Sequence, residues 1–259
     1  MSFSIKTLNP KNLELKLAMR MRQHHAEMQD HTATPNQLKE ALEKFCQERG
    51  FQKGNAGSPD HLSAAIITES NELFSNFKTL SDRRQRRMLR NPYTGVEANK
   101  ELADVLWFSL LLSARHGVDL SKAIALTGSD PMHFYAYSLN DETSTIGQLK
   151  EYVKSNFDRP TQKLTPREIA IELMGESCAL FEQFRFRSTD QMIESFKDPN
   201  KRPEIDRRLG RIFGLTVLFA ANNGIDLSWV LLKKLAENEE RYPADKLKGG
   251  SYKKYNEIL

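Results

Sequence analysis

Four acidic residues are spaced as two helical pairs that could meet in one site. Glu69 and Glu72 are three residues apart, and so are Glu101 and Asp104. Residues at this spacing share one face of a helix. With 34 acidic residues in 259 positions, roughly four such pairs are expected by chance, so neither pair is significant alone. Both pairs, however, begin within apolar helical stripes, and this makes them the candidate site.

Convergence of the four carboxylates would require a cation. Carboxylates that lie close together repel one another and do not all ionise without one. Ligands that are all oxygen atoms favour Mg²⁺ or Mn²⁺ over zinc. The spacing therefore predicts a divalent metal site, and a structural network of salt bridges remains the alternative.

Two amphipathic segments must position these acids. Pro59 is typical of a helix start, and an apolar stripe with three-and-four spacing then runs through Glu69 to Phe77. The second segment is apolar on nearly every side between residues 105 and 114, so we expect it at the centre of a helical bundle, and Gly117 should end it. No segment alternates like a strand, and the pattern predicts an all-α fold.

Five arginines lie between the two acidic segments, within the ten residues from Ser81 to Arg90. The usual interpretation of such a run is a solvated, charged segment. The alternative is contact with a polyphosphate bound at the neighbouring acids, because the forked guanidinium group suits phosphate oxygens.

Composition excludes several classes of protein. A formal net charge of +4 is too small to indicate a nucleic-acid partner by itself. The two cysteines, Cys46 and Cys178, predict no disulfide framework and fit a reducing compartment. The longest apolar run is too short for a membrane span, and nothing at the start resembles a signal peptide. We expect a cytoplasmic protein without a membrane partner, and a homodimer remains open.

The chain also repeats itself at an offset of 107 residues. The offset relates Pro59 to Pro166 and Glu69 to Glu176, and it relates the segment 117–121 to the segment 224–228. We interpret this as a tandem duplication of an all-helical unit, packed as a pseudo-dimer. The predicted divisions are an N-terminal extension (1–33), a first repeat (34–126), a linker (127–145) and a second repeat (146–259).

The motif E-x-x-E followed by E-x-x-D across two helices resembles the all-α NTP pyrophosphatases, the MazG-like superfamily. Within it, the chain is most similar to the dCTP pyrophosphatases. The segment from Lys234 to Pro243, followed by residues 250–255, carries the most specific likeness. The resemblance implies hydrolysis of a nucleoside triphosphate to the monophosphate and pyrophosphate.

The resemblance also implies a role for each candidate residue. Glu69, Glu72, Glu101 and Asp104 would hold Mg²⁺, and Glu69 or Glu72 would also orient the attacking water. The positions that contact phosphates and sugar would be Lys234, Asn238, Arg241 and Tyr242, with Lys254 as a further candidate. Phe51 and Phe186 would enclose the base. The base-side histidine of the family falls at Leu42, so the base is left open among pyrimidines such as those of dCTP and dUTP.

The second copy departs from the family motif. Glu176 is retained, but Ala179, Arg208 and Arg211 stand at the positions of Glu72, Glu101 and Asp104. The first copy in turn lacks the basic helix, because the offset carries Asn238 and Arg241 onto Pro131 and Phe134. We expect one composite site per chain, an organisation similar to that of dimeric all-α dUTPases.

Two further questions stay open at this stage. Arg208 and Arg211 are expected to pair with Glu176 as structural cations, and phosphate sensing is the alternative. A non-catalytic nucleotide-binding regulator, or a helical module that binds RNA or protein, remains the alternative to an enzyme.

Overall fold

The fold was analysed in a computed structural model, which describes residues 28–51, 57–91, 93–127, 139–157 and 163–247. Within these ranges every regular element is a helix and no strand is present, so the predicted all-α class is confirmed. The helices are α1 (Pro35–Arg49), α2 (Pro59–Ser75), α3 (Asp82–Arg90), α4 (Val96–Arg115), α5 (Leu120–Ala125), α6 (Ile146–Phe157), α7 (Pro166–Phe181), α8 (Thr189–Ser195), α9 (Arg202–Asn223), α10 (Leu227–Arg241) and α11 (Ala244–Leu247).

Local sequence sets the ends of several helices. Thr34 and Gln37 form a capping box at the start of α1, and Gly50 ends that helix in the left-handed conformation at φ 69°. Asp119 caps α5 by accepting a hydrogen bond from the Lys122 backbone. These ends fall where the sequence places them. The arginine run was assigned no structure from sequence, and it forms helix α3.

Helix α2 packs against α4 on one side and against α7 on another. At the crossing with α7, the hydroxyls of Ser70 and Ser177 lie 3.3 Å apart, and both residues are fully buried. These two serines are 107 positions apart, as the sequence offset requires. Small side chains allow the helices to approach closely, and the larger side chains on either side, such as Phe77, fill the surrounding core.

Two buried aspartates connect distant parts of the chain. Asp141 accepts hydrogen bonds from the backbone of Leu120 and Ser121 at the start of α5, both at 2.8 Å, and pairs with Lys39. Asp30 makes the same set of bonds to the start of α10, and its partner is Lys150. Each carboxylate therefore fixes a helix start to a segment far away in sequence.

These contacts bear on the predicted divisions of the chain. Asp30 falls within the predicted extension 1–33 and Asp141 within the predicted linker 127–145, yet both are packed parts of the fold. Residues 1–27 of that extension and residues 128–138 of that linker lie outside the described residues.

Within the described ranges, no single helix combines the length and apolarity needed to cross a membrane. Helices α9 and α10 satisfy the criteria of length and composition only when taken together, with a bend of 107° between them.

Candidate active site

Three of the four predicted acids converge between α2 and α4. One carboxylate oxygen from each of Glu69, Glu72 and Glu101 lies within 4.8 Å of the other two. Glu69 and Glu101 are half-buried, whereas Glu72 is exposed. The two helices therefore present oxygen atoms from three sides of a small space that opens to solvent.

The cluster raises the pKa of its own acids. Burial is the largest cause for Glu69, and the nearby charge of Asp104 together with a hydrogen bond to Glu101 adds to it, so that its pKa rises to about 8. The pKa of Glu101 is raised by burial, with repulsion from Glu72 and Asp104 as further causes. At neutral pH Glu69 therefore keeps its proton and donates it to Glu101. The proton supplies the positive charge that the cluster requires.

Asp104 is one turn beyond Glu101 and has a cation of its own. The ammonium of Lys234 on α10 lies 2.5 Å from its carboxylate. Both side chains are largely buried, with 22% of Lys234 and 14% of Asp104 exposed. Burial raises the pKa of Asp104, and the bond from Lys234 partly opposes that rise. This contact joins the acid cluster to the predicted phosphate-binding helix.

The other predicted phosphate and sugar contacts lie further along the same helix. Lys234, Asn238 and Arg241 are four and three residues apart, so they share the face of α10 that meets Asp104. Tyr242 follows directly as the C-cap residue. Lys254, the remaining basic candidate, lies outside the described residues.

A buried arginine that sequence reasoning missed holds this end of α10. The Nε of Arg49 donates a 2.6 Å hydrogen bond to the carbonyl oxygen of Tyr242, and its Nη1 donates to the carbonyl oxygen of Phe45. The guanidinium also lies 4.0 Å from the centre of the Phe45 ring. The available sequence signal was weak, because a basic residue in the last turn of a helix is common on dipole grounds alone.

Of the two predicted base contacts, the structure brings one to the site. Phe51 packs edge-on against Tyr242, with ring centres 5.7 Å apart, and continues through Phe45 to Trp107, one turn after Asp104. Phe186 is 90% exposed and has a positive φ of 60°. Among the described residues its ring contacts only the guanidinium of Arg185, so its role as a base contact stays a prediction.

At the counterpart positions in the second half, cations replace the acids. Arg208 bonds to Glu176 at 2.7 Å and to Glu204 at 2.7 Å. Arg211 reaches Glu172 at 3.7 Å and lies over the ring of Phe157. The structural interpretation of Arg208 is confirmed, whereas Arg211 pairs with Glu172 and not with Glu176. No cluster of metal-ligating carboxylates was found there within the described part of the chain.

The residues of the acid cluster fit a hard divalent cation. All the donors are carboxylate oxygens, which Mg²⁺ and Mn²⁺ prefer. Their raised pKa values show that negative charge accumulates there without full compensation. A cation of charge two would relieve this repulsion where a single proton now does so.

Comparisons with known proteins give a partial likeness. The chain is 30% identical over 93 residues to dCTP pyrophosphatase 1 of Homo sapiens and 29% identical over 93 residues to the protein of the same name in Mus musculus. These matches cover 36% of this chain and 54% of each relative, so the chain spans about half the length of the curated relatives it matches. No protein-family model matches the chain, and no solved structure matches it.

Proposed function

We propose that this protein is a Mg²⁺-dependent nucleoside triphosphate pyrophosphohydrolase. The observation that carries the proposal is the salt bridge between Lys234 and Asp104 beside the three converging glutamates. It places a basic helix face directly against a metal-competent acid cluster, which is the arrangement that a polyphosphate with a bound cation needs. The partial likeness to dCTP pyrophosphatase 1 supports the same activity.

The proposed architecture is a tandem duplication in which the two halves form one composite site. The 107-residue offset between Ser70 and Ser177 at the helix crossing supports it, and so do the matching roles of Asp30 and Asp141. Under this proposal, the first half supplies the acids through α2 and α4, and the second half supplies the basic face of α10.

Glu69, Glu72 and Glu101 would hold the cation, with Asp104 as the fourth ligand. A Mg²⁺ ion would neutralise phosphate charge and lower the pKa of a bound water. Glu72 is the exposed member of the cluster, so it is placed to orient a water molecule and to accept its proton. Lys234 would exchange Asp104 for a phosphate oxygen when the nucleotide binds, since both are anionic acceptors for the same ammonium.

The proposed substrate is a pyrimidine deoxynucleoside triphosphate such as dCTP or dUTP. Asn238 and Arg241 continue the polar face of α10 away from the acids, toward the ring of Tyr242. Phe51 and Tyr242 then provide adjoining aromatic surface for a base.

The experiment is a hydrolysis assay with each deoxynucleoside and ribonucleoside triphosphate in Mg²⁺, Mn²⁺ or EDTA. We expect pyrophosphate and the monophosphate as products, with no orthophosphate, and the fastest rate with dCTP or dUTP. Glu72→Ala should abolish turnover, because it removes a ligand without disturbing the core.

Two outcomes would contradict the proposal. Absence of turnover with every nucleotide would exclude the enzyme, and metal-dependent nucleotide binding without product would favour a regulator. Orthophosphate as the released product would show cleavage at a different phosphoanhydride bond and exclude a pyrophosphohydrolase.

A further inference from the structure

Helix α3 carries the most concentrated positive charge in the described structure. Its nine residues hold five arginines and one aspartate, a net charge of +4. The whole chain has the same formal net charge, so the rest of the sequence balances to zero. A charge segregated in this way creates a local positive potential that the overall composition conceals. The arginines are Arg83, Arg84, Arg86, Arg87 and Arg90.

These arginines are exposed and lack internal partners. All five are exposed to solvent, and no described residue forms a hydrogen bond or ion pair with any of their side chains. The carboxylate of Asp82 on the same helix faces Arg167 instead, at 3.6 Å. Other exposed cations behave differently, since Lys100, Lys154 and Lys197 each pair with a carboxylate three residues away. The arginines of α3 therefore repel one another at helical spacing without any compensating acid.

The helix is held so that its arginine face points outward. Gln85 is fully buried, donates to the carbonyl oxygen of Leu80 at 2.9 Å and accepts from the backbone of Arg167 at 3.1 Å. At about 100° of rotation per residue, the other four arginines apart from Arg84 fall within an arc of about 100° on the side opposite Gln85. Buried hydrogen bonds thus fix a helix whose outer surface is almost entirely guanidinium.

An exposed aromatic residue stands beside this surface. Tyr93 follows the helix by three residues, and 88% of it is exposed. The turn that carries it is ordered, because the Tyr93 backbone donates to the Asn91 side chain at 2.9 Å and the Thr94 hydroxyl donates to Met88 at 2.9 Å. The large ring is therefore held in solvent at the edge of the arginine surface.

We infer that α3 and Tyr93 form a binding surface for single-stranded nucleic acid. Guanidinium groups bind phosphodiester oxygens through paired donors, and an exposed ring stacks on an unpaired base. An acidic protein would use the charges but would have no need of the ring. A duplex would keep its bases stacked on one another and unavailable to Tyr93.

This surface is separate from the acid cluster. Helix α3 is fixed to the start of α7, and α2 meets α7 through Ser70. Glu69 and Glu72 leave α2 at about 100° and about 160° from Ser70, because each residue turns the helix by about 100°. The inference therefore does not depend on the proposed nucleotide hydrolysis.

The test measures binding of a fluorescein-labelled oligothymidylate of about 20 nucleotides by fluorescence anisotropy. If five arginines contact phosphates, the logarithm of affinity should fall with the logarithm of salt at a slope of about −3.5, which is about a hundredfold between 50 and 200 mM. Replacing all five arginines with glutamine should remove this dependence. Tyr93→Ala should weaken oligothymidylate about tenfold and leave inorganic polyphosphate binding unchanged.

A matched control removes the same charge elsewhere. Five paired basic residues are each replaced by glutamine: Lys122, Lys154, Lys197, Lys201 and Arg207. This variant should bind oligothymidylate like the unmodified protein, and circular dichroism should show that both variants fold. Nucleotide hydrolysis is measured in parallel and should be unaffected by the arginine changes.

The inference is overturned if the arginine variant and the control bind oligothymidylate equally. It is also overturned if polyglutamate or duplex DNA competes as well as the single strand, or if Tyr93→Ala changes nothing. Loss of hydrolysis in the arginine variant, with unchanged oligothymidylate binding, would instead assign the surface to the nucleotide site.

Discussion

The two halves of this protein treat the same positions in opposite ways. In the first half, Glu69 and Glu101 lie in a cluster of carboxylates whose pKa values are raised. In the second half, Glu176 bonds to Arg208, which stands 107 residues after Glu101. Arg208 also bonds to Glu204, whose pKa falls to about 2, chiefly through its hydrogen bond from Arg207. Negative charge is accumulated in one half and neutralised in the other.

The second half is also closed where the first is open. The ring of Phe157 lies 4.7 Å from the guanidinium of Arg211, and any side chain at Gly214 would meet that ring at 2.5 Å. The same helical frame thus stands without an acid cluster. The acids of the first half are therefore not needed for folding, and their mutual repulsion opposes it.

The largest expected effect separates the two halves by activity. Glu69→Gln should lower kcat/KM for the preferred nucleotide about a thousandfold, because it removes a negatively charged ligand from the cluster. Glu176→Gln, at the counterpart position, should change kcat/KM by less than about twofold. Initial rates at saturating Mg²⁺ measure both. Equal losses in the two variants would show that the second half also takes part in catalysis.

The next effect tests what the halves share. Asp30→Ala and Asp141→Ala should each lower the free energy of unfolding by about 3 kcal/mol, because each leaves a buried lysine and two backbone N–H groups without their acceptor. Urea unfolding followed by circular dichroism gives both values. Asp119→Ala, which removes a more exposed cap, should cost only about 1 kcal/mol. A marked difference between the two buried aspartates would mean that the two halves are not built alike.

A smaller effect sharpens the role of the contact between the halves. Lys234→Met should raise KM for the nucleotide about thirtyfold, because a charged partner of the phosphates is lost. In the absence of nucleotide the same variant should bind Mg²⁺ more tightly, because the ammonium no longer competes for Asp104. Isothermal titration calorimetry measures the metal affinity. Lys233→Met is the matched control, since that ammonium faces the ring of Trp229, and weaker Mg²⁺ binding by Lys234→Met would refute the competition.

The smallest effect concerns pH. The pKa of Glu69 is about 8 when folded and 4.5 as the model value for an unperturbed glutamate. The folded state therefore binds more protons between these values, so its stability is fully present below about pH 4.5 and is lost as pH rises toward 8. In EDTA we expect Tm to fall on the order of 3 °C between pH 5 and 8 from this group.

Two controls isolate that contribution. Glu69→Gln should flatten the dependence of Tm on pH, and Mg²⁺ at pH 8 should restore the Tm of the unmodified protein. An unchanged slope in the variant would assign the pH dependence to other groups.

Local features of the fold were predictable because each depends on neighbouring residues. The capping box of Thr34 and Gln37 was visible as a threonine followed three residues later by glutamine. The face shared by Glu69 and Glu72 followed from helical periodicity, and so did the central position of α4. The repeat offset was likewise a property of the letters alone.

Long-range partners were not predictable. No rule of spacing connects Asp30 to the start of α10, which lies about two hundred residues later. The 2.6 Å hydrogen bond from Arg49 to Tyr242 is equally distant in sequence. The arginine run was ambiguous as well, because only the burial of Gln85 shows which side of α3 faces the core.

By itself, the sequence determined the all-helical class, the repeat and the four candidate acids, since these follow from residue type and periodicity. Only the tertiary structure decided that three of the acids converge and that Asp104 pairs with Lys234. It also decided that the arginines of α3 stand without acids. The physical reason is that electrostatic interactions depend on distance and burial, and both are fixed by packing between helices that are remote in the chain.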